Sequence, residues 1–239
     1  MISSNFTWEK VTTQNLGVDF GFFRNRLTGS FDIYQRDTKG MLIPGAQLPA
    51  VLGAPAPLQN TADLQTNGWE LQAGWRDRIG KVNYRLGFNL YDSRSKITKY
   101  DINETKLLSQ YYVGQQIGEI WGYVTDGFYT ENDFEPGTLN ANLLGGTLKP
   151  GTVKYQGQNP NPGDIKFRDL DKDGVIFVGD NTVANPGDRQ VIGNNSRRYQ
   201  YGITGGVNWN GFDLSFFIQG VAKRDLYIVN DITYPYASG

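Results

Sequence analysis

Three observations predict an all-β fold: six runs with a two-residue apolar period, tight turns that alternate with long connections, and aromatics gathered at both ends of the apolar face. The architecture they point to is an antiparallel up-and-down transmembrane β-barrel, of which the chain holds about six strands in three hairpins. The same alternation also suits a soluble sandwich, whose core and surface positions alternate in the same way. Run length favours the barrel: several runs reach roughly ten residues, against about five or six for globular strands and ~9 to 11 for tilted membrane strands.

The first strand, near residues 8–23, sets Leu16, Val18, Phe20 and Phe22 against Gly17, Asp19 and Gly21. A break at Arg24-Asn25-Arg26 leads to the second, 27–38, with Leu27, Phe31 and Ile33 on one side and Thr28, Ser30, Asp32, Tyr34 and Arg36 on the other. The third, 67–77, carries Trp69, Leu71, Ala73 and Trp75 against Glu70, Gln72, Gly74 and Arg76. Past a break at 78–81, the fourth, 82–98, opposes Val82, Tyr84, Leu86, Phe88 and Leu90 to Asn83, Arg85, Gly87 and Asn89. The fifth, 199–209, carries Tyr199, Tyr201, Ile203, Val207 and Trp209; Asn210-Gly211 then predicts a type I′ hairpin turn, whose two central residues need positive φ. The sixth, 212–224, alternates Phe212, Leu214, Phe216 and Ile218 with Asp213, Ser215 and Gln219, Phe217 being the exception. Segments 39–66 and 99–198 read as long extracellular loops, the first marked by Pro44, Pro49, Pro55 and Pro57. The glycines of the polar face, Gly17, Gly21, Gly74, Gly87, Gly202 and Gly206, suggest a lumen packed closely against something.

The 239 residues include no Cys and no His, which removes disulfides, thiol nucleophiles, the commonest general base and the commonest transition-metal ligands. An enzyme is disfavoured on that ground. A net charge of -1 without basic runs gives no footprint for nucleic acid. No run approaches the ~18 apolar residues of a membrane helix, and a negative mean hydropathy is what alternating lipid-facing and lumen-facing residues average to. The start at Met1 has neither a charged nor an apolar signal region, so the chain reads as either cytoplasmic or an internal piece of an exported protein. Six strands cannot close a barrel in lipid, so the barrel reading makes the chain a fragment. The end, Tyr234 to Gly239, also lacks a closing strand with an aromatic last residue.

Asn15-Leu16-Gly17-Val18-Asp19-Phe20-Gly21 and Asn25-Arg26-Leu27-Thr28-Gly29-Ser30-Phe31-Asp32-Ile33-Tyr34 resemble the barrel of the SusC/RagA family of TonB-linked outer-membrane transporters. So do Trp121-Gly122-Tyr123, Asp126-Gly127-Phe128, Pro162-Gly163-Asp164-Ile165-Lys166-Phe167, and Gly211-Phe212-Asp213-Leu214-Ser215-Phe216-Phe217, in the same order along nearly the whole chain. The resemblance implies a barrel of about 22 strands with an N-terminal plug in the outer membrane of Bacteroidetes-type bacteria, importing glycan or peptide fragments. It also implies energy from the TonB complex acting through an N-terminal region absent here, and a SusD-like lipoprotein as lid.

Asp169-Leu170-Asp171-Lys172-Asp173-Gly174-Val175 fits D-x-D-x-D-G, with Asp180 at the twelfth position. Carboxylates at alternate positions, the Val175 carbonyl and a permissive glycine surround a hard cation with oxygen, which favours Ca²⁺. The expected metal ligands are Asp169, Asp171, Asp173, Val175 and Asp180, in a structural role tying down the 99–198 segment. The other reading is a metal-free acidic turn whose Asp side chains cap local backbone groups. Trp121, Tyr123, Phe128 and Tyr129 have two readings as well: rings that stack on sugar at the mouth, or the loop's own small core. The functional alternative to the transporter segment is a soluble, calcium-stabilised carbohydrate-binding β module.

Overall fold

The computed structural model describes residues 6–45, 53 and 56–228, which leaves Pro49, Pro55 and the Tyr234–Gly239 end outside the described residues. The chain divides into two compact units, one of residues 1–104, 112–118 and 194–239, the other of 105–111 and 119–193. In chain order the strands are β1 (Lys10–Phe22), β2 (Leu27–Pro44), β3 (Leu58–Ile79), β4 (Val82–Tyr100), β5 (Glu119–Tyr123), β6 (Thr125–Phe128), β7 (Lys154–Tyr155), β8 (Ile165–Phe167), β9 (Val175–Ile176), β10 (Arg189–Asn194), β11 (Arg198–Trp209) and β12 (Phe212–Lys223).

The first unit is a six-stranded antiparallel sheet in the order β1-β2-β3-β4-β11-β12. The expected hairpin chemistry is present at Asn210 (φ 49°) and Gly211 (φ 89°), the two positive angles that match the turn to the twist of the strands it joins. In register, Val82–Trp209–Phe212 form one row across the sheet and Leu86–Gly205–Phe216 another. Ala73–Phe88–Ile203–Ile218 and Leu71–Leu90–Tyr201–Gly220 follow, so the apolar positions read from sequence fall on one continuous face.

Loop 39–66 needs correction: β2 continues to Pro44 and β3 begins at Leu58, leaving 45–57 as the connection. Alternation stops near residue 34 because residues 35–40 are polar or glycine and the apolar residues that follow, Met41-Leu42-Ile43, are consecutive, so pairing continues without the pattern that announces it. A bulge between Thr38 and Met41 accommodates Gly40. Its N–H donates to Asp63 Oδ1 at 2.7 Å, and its carbonyl accepts from Asn60 Nδ2. Above the start of β11, the edge of β4 is covered by residues 112–118: Ile97 N–H donates to Gln115 O (2.9 Å) and Gly114 N–H to Ile97 O (2.8 Å).

Segment 99–198 is likewise not one loop. Most of it forms the second unit, with short ladders β5–β10, β6–β8 and a parallel β7–β9 pair. This unit buries Tyr129, Phe134 and Ile176. Backbones cross at Gly179 and Gly187, where a Cβ on Gly179 would lie 2.5 Å from the Gly187 nitrogen.

Candidate functional site

The sheet presents two chemically opposite faces. The apolar rows run along β4 from Val82 to the Trp69–Asp92 row, ten residue steps, which is roughly 33 Å along the strand and about 25 Å along the normal at a 40° tilt. That matches the height of a lipid-facing band, about 25 Å. The buried apolar side chains among the described residues are Ala62, Ile97, Tyr112, Tyr129, Phe134 and Ile176; none belongs to the band. Leu16, Phe212 and Leu214 are exposed by 68, 72 and 69%. The band therefore has no cover among the described residues, which is what a lipid-facing surface requires and a sandwich core forbids. At its outer border, Asp92 sits opposite Trp69 and accepts from the Arg198 guanidinium through Nε and Nη2, with the Tyr199 N–H adding a third donor.

Across the sheet the polar face is built from Thr28, Gln72, Asn89 and Thr204 with intervening glycines. The glycines are mostly filled from within the sheet: Asp32 lies across Gly17, Asn25 across Gly21, Thr204 across Gly87, Asn89 across Gly202 and Arg85 across Gly206. Gly74 alone of the six keeps ordinary clearance, 3.6 Å to Thr28. On the apolar face rings play the same part, Phe20 over Gly29 and Phe216 over Gly205.

In the second unit the acidic loop closes on itself. Asp169 accepts from the N–H groups of Lys172 (2.6 Å) and Gly174 (2.9 Å), while Asp173 accepts from Val175 N–H (2.8 Å). The carboxylates that converge are Asp169, Asp171 and Asp188, with one oxygen of each within 4.8 Å of the others. Asp188, fully buried, accepts from Leu170 N–H (2.7 Å) and Phe177 N–H (3.0 Å). Neither Asp173 nor Asp180 belongs to this group among the described residues. Asp180 is instead held by Asn185, whose Nδ2 donates to it at 3.0 Å and whose carbonyl accepts the Asp180 N–H. An EF-hand delivers its twelfth residue from a following helix; here the chain turns at Gly179 (φ 58°), and a residue nineteen positions after Asp169 takes the place. No spacing rule in the sequence singles out Asp188. Desolvation first, and then the charges of Asp188, Asp173 and Asp169, push the Asp171 carboxyl above its ordinary value, with the Asp173 N–H working against them.

The four aromatics separate into different environments. Tyr129 is buried, donates its hydroxyl to Val153 O at 2.7 Å, and lies beneath Lys166, whose ammonium is 5.6 Å from the ring centroid. Lys166 pairs with Asp133 at 2.8 Å and, with the Thr130 backbone N–H, lowers that carboxyl to about 2. Tyr123 packs edge-on to Tyr155 (5.6 Å) and tilted to Phe167 (5.2 Å); desolvation and the Tyr155 hydroxyl raise its phenol. Trp121 is half-buried, and Phe128 is 64% exposed. Packing thus makes Tyr123 and Tyr129 part of the unit's own core and leaves the Phe128 ring accessible.

Residues 1–163 match the family model described as TonB dependent receptor-like, beta-barrel. The chain is 27% identical over 233 residues to the TonB-dependent receptor P3 of Formosa agariphila, covering 91% of this chain and 21% of that one. It is 26% identical over 227 residues to the TonB-dependent receptor SusC of Bacteroides thetaiotaomicron, covering 94% and 20%. The structure is similar to that of the RagAB peptide transporter, with a TM-score of 0.57 at 19% identity over 90% of this chain and 21% of that chain. The chain spans about a fifth of the length of the curated relatives it matches.

Proposed function

Because the chain belongs to the TonB dependent receptor-like β-barrel family, we propose that it forms one wall of an outer-membrane transporter that imports nutrients, with glycan or peptide fragments as cargo. The observation that carries this reading is the uncovered apolar band, about 25 Å tall, backed by a polar face on the same strands. The two sheet edges, β1 and β12, point the same way. Among the described residues neither has a strand partner on its outer side, and unpaired backbone groups cost several kcal/mol apiece in lipid, so further strands complete the wall. Energy comes from the TonB complex, and a SusD-like lipoprotein covers the mouth. The family is one of transporters and not of enzymes, in keeping with a chain without His or Cys. The alternative of a soluble carbohydrate-binding module is unsupported: it requires cover for the band that the described residues do not supply.

The test is cysteine scanning over 199–209 in the intact receptor in outer membranes. A membrane-impermeant maleimide should label alternate positions, Thr204→Cys and not Ile203→Cys. Uniform labelling sinks the reading. Phe128, the ring left free, is the proposed cargo contact, and Phe128→Ala is expected to weaken cargo binding while leaving the fold of its unit intact.

We further propose that the acidic loop holds Ca²⁺ in a structural role. The donor set is all oxygen and clusters three carboxylates whose mutual repulsion a cation relieves. Calorimetry of the intact receptor should record Ca²⁺ binding, and Asp171→Ala should open the loop to protease. No heat, together with identical digestion of both forms, ends this proposal.

A further inference from the structure

Past the outer border of the apolar band, the same side of the sheet continues as polar rows. The last apolar row, Leu16–Ile33–Trp69–Asp92, is followed by Gln14–Gln35–Asn67–Arg94 and then by Thr12–Asp37–Gln65–Lys96. A cavity of about 530 Å³ lies between the first two of these rows. Leu16 and Ile33 form its inner wall, and Gln14, Gln35 and Asn67 its outer one. The intervening row, Asn15–Tyr34–Gly68, is its floor; Asn15 and Tyr34 turn to the other side of the sheet, where the Tyr34 ring lies across Gly68. The Arg94 row stands roughly 5 Å beyond the border along the normal, and the Lys96 row about 10 Å beyond it. Headgroups occupy roughly 5–7 Å on each side of the hydrocarbon core. The cavity and Arg94 are therefore at headgroup depth, and a lysine at 96 is long enough to reach back to it.

This border also carries unmatched positive charge. Neither Arg94 nor Lys96 is in an ion pair among the described residues. The carboxylates on their side are already engaged: Asp92 holds Arg198, and Asp37 accepts from Gln35 Nε2 and Gln65 Nε2, both at 3.0 Å. One row further out, Lys10 stands directly opposite Lys39, a like-charged pair that destabilises a sheet unless an anion lies nearby. At the tight-turn end the strands place one charged side chain on this face, Asp77, and it is paired with Arg26 at 3.1 Å. The cationic excess belongs to the long-loop border alone.

We propose that this border binds a phosphorylated glycolipid of the outer leaflet, with acyl chains on Leu16 and Ile33, sugar against the carboxamides of Gln14, Gln35 and Asn67, and phosphate on Arg94 and Lys96. The proposal rests on the apolar face being the lipid side of the wall. Carboxamides offer both donors and acceptors, as the hydroxyl and amide groups of an acylated amino sugar require. A guanidinium takes phosphate oxygens two at a time. A glycerophospholipid meets less of the requirement: its diester carries one charge, whereas a phosphomonoester carries about 1.5 to 2, and it has no sugar to fill the amide row.

The probe is diphosphoryl lipid A, added to the delipidated intact receptor in detergent micelles, with bound lipid counted by native mass spectrometry. Wild-type receptor should bind it, and lipid A stripped of both phosphates should bind about 30-fold more weakly, since two cations near a membrane surface contribute roughly fivefold each. Arg94→Gln with Lys96→Gln should cause the same loss for the phosphorylated probe and none for the dephosphorylated one. Gln14→Leu with Gln35→Leu should weaken both probes alike. Equal binding of the two probes by the wild-type receptor, a result that depends on no variant folding, overturns the proposal. Equal competition by phosphatidylglycerol, or no binding of either probe, overturns it as well. The labelling at 203 and 204 separates this from failure of the wall: water labelling of Ile203→Cys refutes the lipid-facing side itself, whereas correct labelling without selective lipid binding refutes only this site.

Discussion

Replacing Ile203 by Arg distinguishes a lipid-facing band from a wet one more sharply than any other single change. Ile203 lies between Phe88 and Ile218 in its row, six residues from the Trp209–Phe212 row and four from the level of Tyr199. That places it roughly 15 Å from one border and about 10 Å from the other along the normal, near the middle of a ~25 Å band. An arginine at the midplane costs about 2–4 kcal/mol, and losing the lipid-facing isoleucine side chain adds about 1.5–3 kcal/mol. The expected loss is therefore about 3.5–7 kcal/mol, summed from those two terms. Thr204→Arg, one residue on but facing the lumen, should change stability by no more than about 0.5 kcal/mol, as exposed surface substitutions do. The assay is guanidinium unfolding of the intact receptor in phospholipid vesicles, followed by tryptophan fluorescence. Equal effects of the two arginines, or a neutral Ile203→Arg, refute the assignment of the faces.

Other expectations come from local geometry. Gly205→Val drives a side chain into the Phe216 ring across the hairpin, at a cost of about 1–3 kcal/mol. A double-mutant cycle with Phe216→Ala should recover much of it, and strict additivity would show that the ring is not what the glycine accommodates. Asp92→Ala leaves the Arg198 guanidinium half-buried without its carboxylate, an expected loss of about 3–5 kcal/mol; the additional change Arg198→Met should return most of it, as measured by thermal unfolding. Asp133 has its carboxyl lowered from 3.8 to about 2, first by Lys166 and then by the Thr130 backbone. A lowered folded value means that its stabilisation is complete above the ordinary value and lost as pH falls through the folded one. Pepsin digestion within residues 119–193 should accordingly accelerate between about pH 4 and 2, and Asp133→Asn should remove that part of the dependence; an unchanged profile in the variant would deny the group this role.

Much of the sheet is legible in the sequence because its signal is local. Trp69, Leu71, Ala73 and Trp75 fall on one face through strand geometry alone, and Asn210-Gly211 specifies its turn by its own backbone freedom. The outer parts of β2 and β3 escape that reading. Their pairing, from Gln35–Asn67 to Pro44–Leu58, uses backbone groups and polar side chains that repeat no hydrophobic pattern. In the acidic loop, Asp169 and Asp171 are apparent from spacing, whereas Asp188 arrives from a distant part of the chain. Asp180, which spacing favours, is drawn off by Asn185.

The sequence by itself determined the all-β class, the two opposed faces, the tight hairpins and an oxygen-rich acidic loop, since each depends on residues close together along the chain. Only the tertiary structure decided which residues from different strands stand opposite one another. It put Arg85 across from Arg76 and Glu70 across from Asp32, closed Asp188 onto Asp169 and Asp171, and turned Tyr123 and Tyr129 inward while leaving Phe128 free. The physical reason is register. Alternation fixes the side of the sheet on which a side chain stands, but the neighbour it meets depends on how far one strand slides along the next, and that is set by the whole ladder of backbone hydrogen bonds.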